Sequence, residues 1–231
     1  MKKESKIVSK KRLLITNERL DELAALISKY CTQIAWKATL RDGAVVTFDS
    51  LTELQQYSNF GSAKIIGIKV NGYSDDFSTR INATISMEYP TLKRFGECVF
   101  EFKSVDKHTV FKNEIQAFFD KCVEGELAYQ VGKWLSALVL LGTVLFIVFT
   151  KIKVAAESFF LIITFYFMLI GFAFLVSIAI STKVWDRIYP AVVFSIGEEA
   201  TRYEKSKKWR TGIFWSVIVA GALGLILNLL H

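Results

Sequence analysis

Apolar and polar residues follow two different rhythms along this chain. Between residues 20 and 123 they change places every few positions, whereas after residue 134 long apolar runs are broken only by short charged stretches. In the first part, Leu20, Leu23, Ile27 and Tyr30 recur at three-and-four spacing behind Thr16 or Asn17, either of which can cap a helix ending near Cys31. Ile34, Trp36, Ala38 and Leu40 then alternate with Lys37 and Thr39, and Asp42-Gly43 supplies a turn before residues 45–48, which predicts a β-hairpin. Ser50 and Glu53 have the spacing of a capping box, opening a short helix through Leu51, Leu54 and Tyr57 that Asn59 and Gly61 would end.

Three strands are predicted next, over residues 63–70, 81–89 and 97–105, separated by Asn71-Gly72 and by the Pro90 region. The middle one alternates most cleanly, Ile81, Ala83, Ile85, Met87 and Tyr89 against Asn82, Thr84, Ser86 and Glu88, so one face of the sheet should be wet. A stripe of Phe111, Ile115, Phe118, Phe119 and Cys122 predicts a helix over 109–123 to cover the other face. The order α, β, β, α, β, β, β, α with short connections predicts an α+β domain over residues 16–123, an antiparallel sheet with helices on one face.

Beyond a linker at 124–133 the pattern changes to that of an all-α membrane domain. Residues 134–150 lie between Lys133 and Lys151 and reach about 25 Å as a helix. Residues 159–181 form a longer apolar run, and a reversal at 154–158 would fold the two into a transmembrane hairpin over 134–182. Residues 183–194, with Trp185, Tyr189 and Pro190, read as an interfacial linker. Residues 195–231 read as one helix, charged at first and apolar and uncharged over 211–230, which makes three transmembrane helices in all. Its cap would be Ser195 with Glu198 at capping-box spacing. A row of small residues, Gly212, Ser216, Ala220 and Gly224, ends in Asn228 and predicts close helix packing within or between chains; Ala173, Ser177 and Ser181 form a shorter row on the second span.

Charge sharpens the orientation. Lysine and arginine exceed aspartate and glutamate by 8 to 4 in residues 1–30 and by 9 to 5 in residues 134–231, while residues 31–133 are nearly neutral. Residues 1–15 therefore read as a mobile basic tail. The cluster Arg202, Lys205, Lys207, Lys208 and Arg210 would meet lipid headgroups or the soluble domain, and the positive-inside rule puts that cluster and the N-terminal domain in the cytoplasm, with His231 across a plasma or inner membrane.

Candidate chemistry changes the picture little. Cys31, Cys98 and Cys122 follow no metal or disulfide spacing and read as reduced, buried thiols. His108 reads as a capping or surface residue, Asp75 and Asp76 as turn formers, and no phosphate loop, dinucleotide turn or H-E-x-x-H is present. No catalytic residue, cofactor or metal ligand is expected, and the uncharged span interiors speak against a secondary transporter. The expectation is a non-enzymatic integral membrane protein whose cytosolic domain senses a partner or ligand and couples to a self-associating bundle, the plan of a membrane effector in stress or defence. An oligomeric channel or pore subunit and a membrane-anchored enzyme without a recognisable motif are the other classes. Its expected partners are the lipid bilayer, further copies of the chain, and an unidentified protein or small molecule, with no nucleic acid.

Overall fold

The structure, a computed structural model, describes residues 3–87, 95–151 and 159–229. The Pro90 turn, the end of the strand predicted to reach Tyr89 and the reversal at 154–158 lie outside the described residues. The chain divides into two compact units, Met1–Glu124 with Ala191–Ser206, and Gly125–Pro190 with Lys207–His231.

The first unit is an α+β domain built on a six-stranded antiparallel sheet. Strands β1 (Lys3–Ser9), β3 (Gln33–Leu40), β4 (Val45–Phe48), β5 (Ile65–Tyr73), β6 (Thr79–Ser86) and β7 (Gly96–Phe102) lie in the order β1-β7-β6-β5-β3-β4. The register aligns Ile7, Cys98, Ala83, Val70 and Trp36 across five strands on one buried face. Helices α1 (Asn17–Ser28) and α3 (Val105–Lys121) pack on that face. A Cβ on Gly72 would meet Ile27 of α1 at 2.7 Å, and one on Gly96 would meet Phe119 of α3 at 2.5 Å. The helix starts follow their caps: Thr16 accepts from the Arg19 amide, Ser50 from the Glu53 amide at the head of α2 (Leu51–Gln56), and Ser104 from the Lys107 amide. Cys31, Cys98 and Cys122 are free and buried, and burial raises their thiols to about 11, about 12 and about 12, which keeps them protonated and unreactive.

Three strands depart from the sequence reading. The segment read as a mobile tail carries β1, the edge of the sheet, and β2 (Leu13–Thr16), whose Leu13 and Ile15 are fully buried. Strand β1 carries lysines because it is an edge, and Lys6 pairs with Glu97 of β7 at 2.7 Å. The third is β8 (Val192–Ser195), inside the stretch read as an interfacial linker, which pairs in parallel with β2. Parallel pairing between segments so far apart in sequence has no local signal.

The second unit holds α4 (Glu126–Lys151), α5 (Phe159–Ile188) and most of α6 (Glu198–Leu229). Helix α4 takes in the residues read as a linker, starting directly after Gly125, whose φ is +73°. Helix α5 likewise continues through residues 183–188. Among the described residues one helical segment, Leu169–Ile188, is long and apolar enough to cross a membrane.

Candidate functional site

The most heavily built feature of the α+β domain is its hold on the segment between α5 and α6. Strand β8 contributes Val192 and Phe194, and the next residue, Ile196, is also in the core. Strand β2 and β8 align Leu13 with Val192 through Thr16 with Ser195, and the Leu13 amide donates to the Ala191 carbonyl at 2.9 Å.

Asn59, which the sequence reading used to end a helix, is the central link. Its side chain is wholly buried; the amide nitrogen donates to the Phe194 carbonyl at 3.1 Å and the amide oxygen accepts from the Ile65 N–H at 2.6 Å. One side chain thus satisfies backbone groups of β8 and β5 that water does not reach. The residue had to be polar, short and bifunctional, and asparagine meets all three needs.

The chain then turns at Gly197, with φ +56°, where a Cβ would lie 2.5 Å from the Tyr57 carbonyl oxygen. Only glycine fits both that backbone and that approach. Helix α6 begins at Glu198 and Ser195 is the last residue of β8, while the side chain of Glu198, on which the capping box read from Ser195 and Glu198 depends, lies outside the described residues. Pairing with Thr16 holds Ser195 in extended backbone two residues before the turn.

The first turns of α6 add polar links within the same domain. Lys64 reaches Glu199 at 2.9 Å, and Arg202 lies over the Phe60 ring at 4.2 Å while keeping Glu199 at 3.7 Å. Of the basic residues read together, Arg202 therefore meets the domain, Lys205, Lys207 and Lys208 are exposed, and Arg210 lies 5.8 Å from the Tyr189 ring in the second unit.

A second constellation joins α4 to α5. Trp185 is buried against Gly132, where a Cβ would sit 2.3 Å from the indole. Its Nε1–H donates to Ser136 Oγ at 2.9 Å, Ser136 and Ser181 share a hydrogen bond, and Ser181 donates to the Lys133 carbonyl at 2.6 Å. Tyr189 stacks on Trp185, and Gly125 leaves room for its ring. The row Ala173, Ser177, Ser181 is the buried one.

The longer row is described only at its first two members. Gly212 and Ser216 are exposed, a Cβ on Gly212 would meet nothing within 4 Å, and Ser216 bonds back to the Gly212 carbonyl at 2.9 Å. The side chains of Ala220 and Asn228 and the surroundings of Gly224 lie outside the described residues. Equal spacing carried both rows in the sequence; the residue facing Gly132, a tryptophan, is what the spacing left out.

His108 corrects another reading. It lies inside α3, buried against Phe100, with its Nε2 2.9 Å from Ser5 Oγ and its Nδ1 without a partner among the described residues. Burial, then Lys3 and Lys112, pushes its pKa below the ordinary 6.5. The folded state thus favours the neutral ring, and the unfolded chain binds the extra proton. Stability is complete above pH 6.5 and falls as pH drops through that value. Thermal midpoints should therefore be lower at pH 5.5 than at 7.5, and His108→Gln should shrink the difference; an unchanged pH dependence in the variant would contradict this assignment. Asp76 stays a turn residue, accepting from Ser74 Oγ at 2.6 Å and from the Ser78 amide at 3.0 Å, and those bonds hold its carboxyl well below the usual range.

Among the described residues no group of three or more histidine, cysteine, aspartate or glutamate side chains is placed to hold a metal ion. The chain matches no family model, no curated protein and no solved structure. Its function is therefore argued from its own residues.

Proposed function

We propose that this chain is an integral membrane protein in which the α+β domain binds a partner or ligand and passes the event to a three-helix membrane domain. The observation that supports the reading best is the composition of the first unit: it joins residues 1–124 to the internal segment 191–206, so the backbone passes between the units after Glu124, after Pro190 and after Ser206. A domain attached by one tether can reorient freely; one that includes the α5–α6 connection in its own core cannot rearrange that core without acting on the backbone leading into both helices. Helix α6 runs from Glu198 to Leu229, so its first turns and its apolar part belong to one helical segment.

In this reading α4, α5 and the part of α6 beyond Thr211 cross the bilayer, the α+β domain is cytoplasmic, and the protein works as an assembly of several copies without catalysis. Alkaline carbonate extraction of membranes carrying the full chain tests the first step. The chain should stay in the membrane pellet, and a cysteine introduced at Lys205 should be labelled only after the cytoplasmic side is opened. Release by carbonate, or labelling from the outside, would overturn the placement.

A further inference from the structure

The face of the sheet opposite α1 and α3 presents three cross-strand rows of polar groups. In the first, Lys37 of β3 stands directly opposite Lys69 of β5, which stands opposite Thr84 of β6. The second places Asn71 of β5 opposite Asn82 of β6. In the third, Tyr73 of β5 is opposite Arg80 of β6, whose guanidinium lies 5.8 Å from the tyrosine ring centre. Directly opposed side chains have Cβ atoms about 5 Å apart, and successive rows on one face are roughly 7 Å apart.

Two features of these rows have no folding rationale. Like charges placed directly opposite each other destabilise a sheet, yet Lys37 and Lys69 are both exposed, and neither forms an ion pair or hydrogen bond with another described residue. The carboxylate on their row, Glu97, is already held by Lys6. Next to them, Asn71 and Asn82 are half-buried amides in strand interiors, where asparagine is disfavoured, and their side chains are likewise without a described partner.

We infer that this face is a binding site for a soluble nucleotide, with Lys37 and Lys69 taking its phosphates and Asn71 and Asn82 its base edge. An anion between the two lysines cancels their repulsion. Amides, each with a donor pair and an acceptor, match the hydrogen-bonding edge of a nucleobase. Tyr73 and Arg80 at the next row give a flat surface for stacking. The base-reading amides favour a nucleotide over a lipid headgroup, which needs only the cations. This inference rests on the proposed role of the domain as a sensor and names the class of its ligand.

Calorimetric titration of the full chain in phosphatidylcholine nanodiscs tests it, using ATP, GTP and inorganic triphosphate as probes and phosphatidylglycerol nanodiscs without nucleotide as a further arm. At least one nucleotide should bind, and more tightly than inorganic triphosphate. Lys37→Gln with Lys69→Gln should weaken that binding at least tenfold, and Asn71→Leu with Asn82→Leu should remove the preference over triphosphate. All four positions are on the open face, and unchanged thermal midpoints will show that the variants fold. Absence of nucleotide binding, equal binding of triphosphate, lysine variants that bind as before, or a face occupied only on phosphatidylglycerol discs would each overturn it. Failure here with carbonate-resistant insertion intact overturns the ligand class alone, whereas nucleotide binding by a carbonate-released chain would overturn the membrane reading and leave this site standing.

Discussion

Asn59→Ala is expected to lower the stability of the α+β domain by about 2–4 kcal/mol, because it leaves both the Ile65 N–H and the Phe194 C=O buried without a partner. The loss is local in origin. Strand β8 keeps its pairing with β2 but is released from β5, so the segment 191–197 should open before the six-stranded sheet does. Denaturant unfolding of the full chain in detergent, with tryptophan fluorescence and hydrogen exchange as separate probes, measures the size and the place of the effect. Asn59→Asp places a buried carboxylate against the Phe194 carbonyl oxygen, and at neutral pH should cost at least as much as alanine. Gly197→Ala should act on the same turn by another route, through a left-handed backbone that disfavours a side chain and a Cβ 2.5 Å from the Tyr57 oxygen. A loss below about 0.5 kcal/mol in Asn59→Ala would mean that water or another group replaces the amide.

Gly132→Val is expected to separate α4 from α5 where Trp185 packs. The valine has no room in front of an indole that is buried and whose Nε1–H is bound to Ser136, so the tryptophan cannot swing away without leaving Ser136 and Ser181 to re-pair. Overpacking of this kind costs about 1–3 kcal/mol, equivalent to a fall of roughly 3–9 °C in thermal midpoint for a chain of this size. Hydrogen exchange should quicken at residues 129–137 and 181–189. Gly142→Ala is the control, since a Cβ there meets nothing within 4 Å and alanine is the better helix former. If both substitutions leave the midpoint unchanged, Trp185 is not holding the pair together.

Half-burial is what made parts of the domain readable in advance. Strand β6 alternates because one face is core and the other is not, and the stripe on α3 is regular because the helix lies on a flat apolar layer. Strand β1 escaped because of its inward positions Lys3, Ser5, Ile7 and Ser9 only Ile7 is apolar, as suits an edge. Strand β8 is four residues long and its partner lies near the other end of the chain, so nothing local marks it. Ser195 also pairs with Thr16, a contact that its spacing to Glu198 does not reveal.

The candidate site was less legible than the fold. Asn59 and Gly197 act through what they touch, and as residue types they look like any loop asparagine or glycine. The same holds for Gly132, whose meaning depends on Trp185 in another helix. A lone histidine near a helix start reads as a capping or surface residue; the cap at Ser104, earlier than expected, places His108 in the buried stripe. Of the small-residue rows, the one that read as weaker, Ala173, Ser177 and Ser181 on α5, is buried, and the longer one on α6 is described only at Gly212 and Ser216.

On the proposed reading, the α+β domain acts on α6 through the segment it holds. Hydrogen exchange of the full chain in lipid bilayers, read at residues 207–216 in Asn59→Ala and in Ile115→Val, tests it most directly. Ile115 is a core residue of α3 away from the held segment, and its trimming loosens the domain by about 0.5–1.5 kcal/mol. Exchange at residues 207–216 should be faster in Asn59→Ala, together with residues 191–197, and unchanged there in Ile115→Val. Exchange at 207–216 that stays at the wild-type rate while 191–197 opens would contradict it.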